Sequence, residues 1–104
     1  MTFRRVCSVE DVWEGEMQGF TVDGKAIVIA RESDGVYAWD GVCPHQDYAL
    51  SEGVLEDGIL TCAMHLWQFD ARTGEGVNPT GCKLKGYALK VEGGDIFVDV
   101  ASVR

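Results

Sequence analysis

The sequence predicts an all-β domain, an antiparallel sandwich or partly open barrel. Short strand-like segments follow one another closely, glycine-bearing turn dipeptides separate them, and almost nowhere do apolar residues recur at helical spacing. With 104 residues there is room for one domain over 1–104 and one core, and none for a separate catalytic module. No internal repeat, low-complexity tract or linker interrupts the chain.

Phe3 to Cys7 reads as the first strand. Ser8-Val9-Glu10-Asp11 then has the pattern of a helix start, with Ser8 as cap and Asp11 at the third helical position, and Gly15 limits that helix to a single turn. Met17 to Val22 and Lys25 to Ala30 flank Asp23-Gly24, a dipeptide favoured in tight hairpin turns. Val36 to Trp39 follows the polar turn 32–35, and period-two alternation puts Tyr37 and Trp39 on one face, assigned here to the core. Val54-Leu55-Glu56 and Ile59-Leu60-Thr61 flank a second turn dipeptide, Asp57-Gly58. Gln68-Phe69-Asp70 makes a strand that ends in the turn 71–74, and Val77-Asn78-Pro79-Thr80-Gly81 reads as a rigid loop. Leu84 to Glu92 and Asp95 to Val100 form a closing hairpin across Gly93-Gly94.

The chemistry is concentrated in residues 43–67. Both histidines and two of the four cysteines lie there, as Cys43-Pro44-His45 and Cys62-Ala63-Met64-His65. Thiolate and imidazole are ligands for zinc, copper or iron. Four of them suit a single Cys2His2 zinc, or a two-iron two-sulfur cluster in which each iron needs two protein ligands. Sixteen residues separate His45 from Cys62 and read as loop, strand, turn, strand. A three-residue strand climbs about 10 Å, so the hairpin returns the chain to its starting level and sets the two ligand-bearing loops side by side. In a zinc finger the histidines instead share a helix at short spacing. Pro44 and the apolar run after His65 do not suggest one.

Cys-x-His, sixteen residues, then Cys-x-x-His resembles the Rieske iron–sulfur signature, in which two histidines replace two cysteines on one of the irons. The stretches CPHQ, LSEG, CAMHLWQFD, TGEGVNP and GCKLKGYALKVEGGDIFV are similar to the Rieske ferredoxins of toluene and related arene or alkene monooxygenases, as is the opening TFRRVCSVEDVWEGEM. The resemblance implies one [2Fe–2S] cluster, with Cys43 and Cys62 on the inner iron and His45 and His65 on the outer iron. It also implies a small cluster-binding subdomain at one end of the domain, about 43–67, and a proline loop, about 77–81, in which Pro79 lies over the cluster. Around the histidines, Pro44, Leu66 and Pro79 would form an apolar rim, and Gln46, Asp47 and Tyr48 would add polar character. Trp67 is read as a buried prop beneath the second loop. Met64 would pack against the cluster or touch a partner. Backbone N–H groups of 46–50 and 64–67 are the expected donors to sulfide and thiolate.

The function implied is electron transfer, not catalysis. The carrier would take single electrons from an NADH-dependent flavin/iron–sulfur oxidoreductase and pass them to the hydroxylase of a diiron arene or alkene monooxygenase. A ring-hydroxylating dioxygenase ferredoxin is the second reading, and a structural zinc module that binds a protein partner is the third. Nine basic against seventeen acidic residues give a net charge of −8, which disfavours nucleic acid and suits either solubility or steering toward a basic partner. No apolar run approaches a membrane span and TFRRVCSVED lacks the apolar core of a signal peptide, so the expected setting is the cytoplasm, without a membrane partner. Cys7 and Cys82 lie far from the motif, and a reducing cytoplasm argues against pairing them; each is read as a small buried side chain.

Departures from the high-potential Rieske pattern are equally specific. Gln46 and Asp47 follow His45, Met64 occupies the second loop and Trp67 stands two residues past His65, so the extra disulfide of respiratory Rieske proteins is absent and hydroxyl donors to the sulfides are fewer. Fewer donors leave the more negative reduced state less stabilised. A redox titration should therefore place the potential toward the low end of the roughly −150 to +300 mV Rieske range, falling further at high pH as the imidazole ligands deprotonate; a value near the top, flat with pH, would refute both expectations.

Overall fold

A computed structural model describes residues 3–41, 50–63, 67–78 and 83–103. Among the described residues the chain forms β1 (Arg4–Ser8), a 3-10 turn (Val9–Asp11), β2 (Met17–Val22), β3 (Lys25–Glu32), β4 (Gly35–Asp40), a 3-10 turn (Leu50–Glu52), β5 (Val54–Glu56), β6 (Ile59–Thr61), β7 (Gln68–Asp70), β8 (Gly76–Asn78), β9 (Tyr87–Glu92) and β10 (Asp95–Val103). They assemble into three antiparallel sheets with strand orders β1-β10-β9, β2-β3-β4 and β5-β6-β7-β8. The all-β class and the antiparallel sandwich of the sequence reading are what the chain adopts.

Turn chemistry fixes where the strands reverse. At Asp23-Gly24 and at Asp57-Gly58 both central residues have positive φ, 49° and 80° in the first and 52° and 77° in the second. That is the twist a two-residue hairpin requires, and aspartate followed by glycine adopts it with little strain. The first 3-10 turn is closed by a capping box: the Ser8 hydroxyl accepts from the Glu10 amide and the Asp11 carboxylate accepts from the Ser8 amide at 2.9 Å.

The sheet β2-β3-β4 lies between two apolar cores, where the sequence reading expected one. On one face Ile27, Ile29 and Ala38 pack with Val12, Ile96, Val98 and Val100 of the β1-β10-β9 side. On the other, Val28 and Trp39 pack with Leu50, Leu60, Phe69 and Leu84. Successive side chains of a strand point to opposite faces, so a strand covered on both sides must be apolar at every position. The run Ala26-Ile27-Val28-Ile29-Ala30 in β3 is that signature, and Ile27 to Ala30 are at most 1% exposed.

Four details differ from the sequence reading. Gly76–Asn78 is a strand paired with β7, where a loop was expected from Val77. The last hairpin begins at Tyr87 and not at Leu84, because segment 83–86 is tied to several places: Leu84 N–H donates to Gly74 O, Lys85 O accepts from Asp40 N–H, and Gly86 bridges Trp39. β10 runs on to Val103 past a register break after Asp99, and β1 has its own break between Arg5 and Cys7. Leu50–Glu52 forms a 3-10 turn, where the sequence reading assigned no element although LSEG is one of the stretches that carry the resemblance. Cys7 is buried in the first core, as expected; Cys82 lies outside the described residues.

Trp39 joins these parts. Its indole N–H donates to Ala71 O at 2.8 Å, and its ring is approached so closely that a Cβ on Gly74 or Gly86 would come within 2.6 or 2.7 Å of it. Gly86→Ala should therefore cost about 1–3 kcal/mol through displacement of the ring. Gly93→Ala, at φ 59° with open space around it, should cost only about 1 kcal/mol of backbone strain. Urea midpoints at constant m would separate the two, and equal losses would contradict the packing account.

Candidate metal centre

Backbone pairing brings the ends of the ligand-bearing segments together. The 42–49 segment is closed at its foot by Leu50 N–H donating to Gly41 O at 2.9 Å. The second loop is closed by Cys62 N–H donating to Trp67 O at 2.8 Å. Between them the hairpin pairs Val54 with Thr61, Leu55 with Leu60 and Glu56 with Ile59, so it does return the chain to its starting level. Thr61 also faces Gln68, and Gln68 faces Asn78. The start of the second loop, its return and the start of the Pro79 segment therefore leave the same end of one four-stranded sheet.

Of the expected ligands, Cys62 is described; Cys43, His45 and His65 lie outside the described residues, as do Pro44, Gln46, Met64, Leu66 and Pro79. Among the described residues no group of three possible ligands gathers, since three of the four expected donors fall outside them. Cys62 is fully buried in the second core with Leu50, Leu60, Phe69 and Leu84, and Trp67 packs against that core half-buried. A sulfur donor on an apolar floor, at the foot of a loop whose sequence continues to a histidine, suits a soft metal centre with a mixed thiolate and imidazole donor set. The residues present fit a [2Fe–2S] group.

Sequence reasoning missed the feet. Gly41 and Gly53 lie against backbone, Gly41 on Ala26 and Ile27 and Gly53 on Thr61 O, so neither position has space for a side chain. The Leu50 amide closes the first loop while its side chain fills the second core. The signal available was the close succession Leu50-Ser51-Glu52-Gly53, an apolar anchor followed by a glycine.

An ion-pair clamp fixes this sheet to the central one. Arg72, just past β7, donates from Nε to both Asp34 oxygens at 3.1 Å and lies 3.5 Å from Glu32 Oε1. The Tyr37 hydroxyl adds a bond to Asp34 Oδ2 at 3.1 Å. Partial desolvation works to raise the Asp34 pKa, but the hydrogen bonds from Arg72 and Tyr37 together with the Arg72 charge outweigh it and hold the carboxyl below its ordinary value.

Comparison with known proteins gives a consistent picture. A family model described as the Rieske [2Fe-2S] domain matches residues 2–88. The chain is 44% identical to the ferredoxin component of the alkene monooxygenase system of Xanthobacter autotrophicus, over 89% of this chain and 77% of that one. It is 35% identical to the ferredoxin component of biphenyl 2,3-dioxygenase of Rhodococcus jostii, over 96% and 94%. The solved ferredoxin of carbazole 1,9a-dioxygenase from Nocardioides aromaticivorans superposes with a TM-score of 0.85 at 31% identity, covering 94% of this chain and 97% of that one.

The clamp has a pH signature. A carboxyl whose folded pKa lies below its unfolded pKa stabilises the fold above the unfolded value, and that contribution disappears as pH falls through the folded value. NMR titration should find the Asp34 midpoint below the usual aspartate range, and Arg72→Ala should move it upward; an unmoved midpoint would show that Arg72 is not the cause.

Proposed function

The chain belongs to the Rieske [2Fe–2S] family, and on that premise we propose that it carries single electrons from an NADH-dependent flavin reductase to the diiron hydroxylase of an arene or alkene monooxygenase. It is a ferredoxin of an oxygenase system, an electron carrier and not a catalytic enzyme. The observation that carries the monooxygenase reading is the 44% identity to an alkene monooxygenase ferredoxin, against 35% to a biphenyl dioxygenase ferredoxin over a similar share of the chain. The dioxygenase reading is supported by the structural likeness to the carbazole dioxygenase ferredoxin. The structural zinc module has no support in the three comparisons.

In this reading Cys43 and Cys62 hold one iron and His45 and His65 the other, and residues 43–67 with the 77–81 loop form the cluster-binding subdomain. Bound there, the cluster supplies one-electron redox chemistry. The chain's own residues provide anchorage and docking. Cys62 is held by a closed loop foot and an apolar core, and Trp67 braces that core from the loop's return. Pro44, Gln46, Met64, Leu66 and Pro79 are proposed to line the contact with partners, which for electron transfer is small and transient. Among the described residues no helix is long and apolar enough to cross a membrane; the cytoplasm is the proposed setting.

Reconstitution is the direct test: a purified flavin reductase and a purified diiron hydroxylase should turn over NADH-dependently only when this protein is added. Turnover with a dioxygenase terminal component instead would select the second reading. Separately, Cys62→Ala, His45→Ala and His65→Ala should each abolish the visible spectrum and the iron and acid-labile sulfide that accompany it. A coloured, iron-replete His65→Ala protein would remove His65 from the ligand set.

A further inference from the structure

One carboxylate has more acceptor capacity than the fold fills. Glu32, the last residue of β3, is 8% exposed, and its Oε2 is buried without a hydrogen-bond partner among the described residues. Its Oε1 lies 3.5 Å from Arg72, which gives its shorter contacts, at 3.1 Å, to Asp34. An ionised carboxylate has about four acceptor sites. A buried one left short of donors is costly, and a native fold that keeps such a group calls for a reason, an ion or ligand among them.

Glu32 lines a cleft of about 600 Å³ between the 13–16 turn and the Asp57-Gly58 turn, together with Glu14, Ser33, Asp57 and Arg72. Neither Glu14 nor Asp57 has an ion pair among the described residues. The lining therefore carries three negative charges against the one of Arg72, and the cleft selects a cation. Among the described residues no three carboxylates come together closely enough to hold a metal ion. The cation that suits the cleft is one that brings its own directed N–H donors. A guanidinium has five in a rigid planar fork and serves several oxygens at once.

The surface beside the cleft indicates what carries that cation. Trp13, on the same turn as Glu14, is 72% exposed. Tryptophan is buried on average, and it is enriched where partners dock. The turn that presents it is tied down: Gly15 N–H donates to Arg31 O at 2.7 Å, Glu16 N–H to Trp13 O at 3.0 Å, and Arg31 N–H to Glu16 O at 2.9 Å. Residues 10–16 add Glu10, Asp11 and Glu16 with no basic side chain among them. A free small cation has no use for a solvent-facing indole. An arginine-bearing segment can lay one guanidinium on its face and put the next into the cleft.

We infer that this acidic turn is a docking site for an extended, arginine-bearing segment of a partner protein, with one guanidinium beside Glu32 and another stacked on Trp13. The cleft is at the Asp57-Gly58 tip of the β5–β6 hairpin, and the segments with the proposed metal ligands adjoin its other end, at Val54 and Thr61. Binding here does not depend on the electron-carrier reading, and neither Glu32 nor Trp13 belongs to the proposed cluster site. The two can fail separately: one concerns peptide binding by the purified holoprotein, the other turnover with redox partners.

The test is an amide and indole chemical-shift titration of the isotope-labelled holoprotein with a blocked glycine peptide carrying two arginines, with the same peptide carrying two glutamines, and with magnesium chloride. The arginine peptide should give saturable shifts at the amides of Gly15, Ser33 and Gly58 and at the Trp13 indole N–H, with the glutamine peptide at least about tenfold weaker. Glu32→Gln should weaken the arginine peptide about tenfold, and Trp13→Ala roughly two- to fivefold, the range of an exposed cation–π contact. Both variants are to be used with the visible spectrum of the parent, which shows that the fold and the metal centre survive. The assignment is overturned if the arginine peptide gives no saturable shifts at these groups, if the glutamine peptide binds as tightly, or if magnesium alone reproduces the shifts. It is also overturned if spectrally intact Glu32→Gln or Trp13→Ala binds the arginine peptide unchanged, as Glu32→Gln would if water alone meets Oε2.

Discussion

The structure depends on a central strand, β3, that is dry on both faces from Ile27 to Ala30. Because β3 is enclosed between the two cores, its side chains serve two packing problems at once, Ile27 and Ile29 on one side and Val28 on the other. Each fully buried aliphatic side chain of this kind is worth roughly 1.5–3 kcal/mol relative to exposure. The larger gain is positional, since a close-packed interior resists displacement. The four-stranded sheet that holds Cys62 is laid on one face of β3, and the remaining strands close the other.

The described residues that flank the two segments are fixed by this arrangement. Leu50 contributes its side chain to the core and its amide to the first loop's closure. Cys62 belongs to the same apolar cluster and closes the second loop. Trp39, in the same cluster, extends the connection to the turn after β7 and to segment 83–86, through its bond to Ala71 and its contacts with Gly74 and Gly86. Arg72 adds a polar fastening at the rim, where exposure limits what an ion pair contributes.

Much of this was legible in advance, for identifiable reasons. Asp23-Gly24 and Asp57-Gly58 announce their hairpins because few other dipeptides accept two consecutive positive φ angles. Ser8 and Asp11 announce a capping box because their side chains serve local backbone groups. The Cys-His pairs stood out through composition and spacing. What escaped was non-local. Segment 83–86 contains strand-like residues, but its backbone groups are claimed by Gly74, Trp39 and Asp40, partners that no window of neighbouring residues reveals. β8 is three residues long and exists because β7 offers it an edge. Leu50–Glu52 turns where Gly53 N–H donates back to Leu50 O and Gly53 lies against Thr61, a neighbour distant in sequence.

The register break in β1 bears on how the protein behaves in a crowd. An outermost strand presents unsatisfied amides and carbonyls that another chain can adopt, and irregular pairing, charge and brevity are the ways folds discourage this. β1 has the irregularity between Arg5 and Cys7 together with two exposed arginines, and the outer strands β5 and β8 are three residues each. Along β2, Ser51 stands over Gly19. At β1, β5 and β8 the sheets thus offer little template for pairing with a second copy.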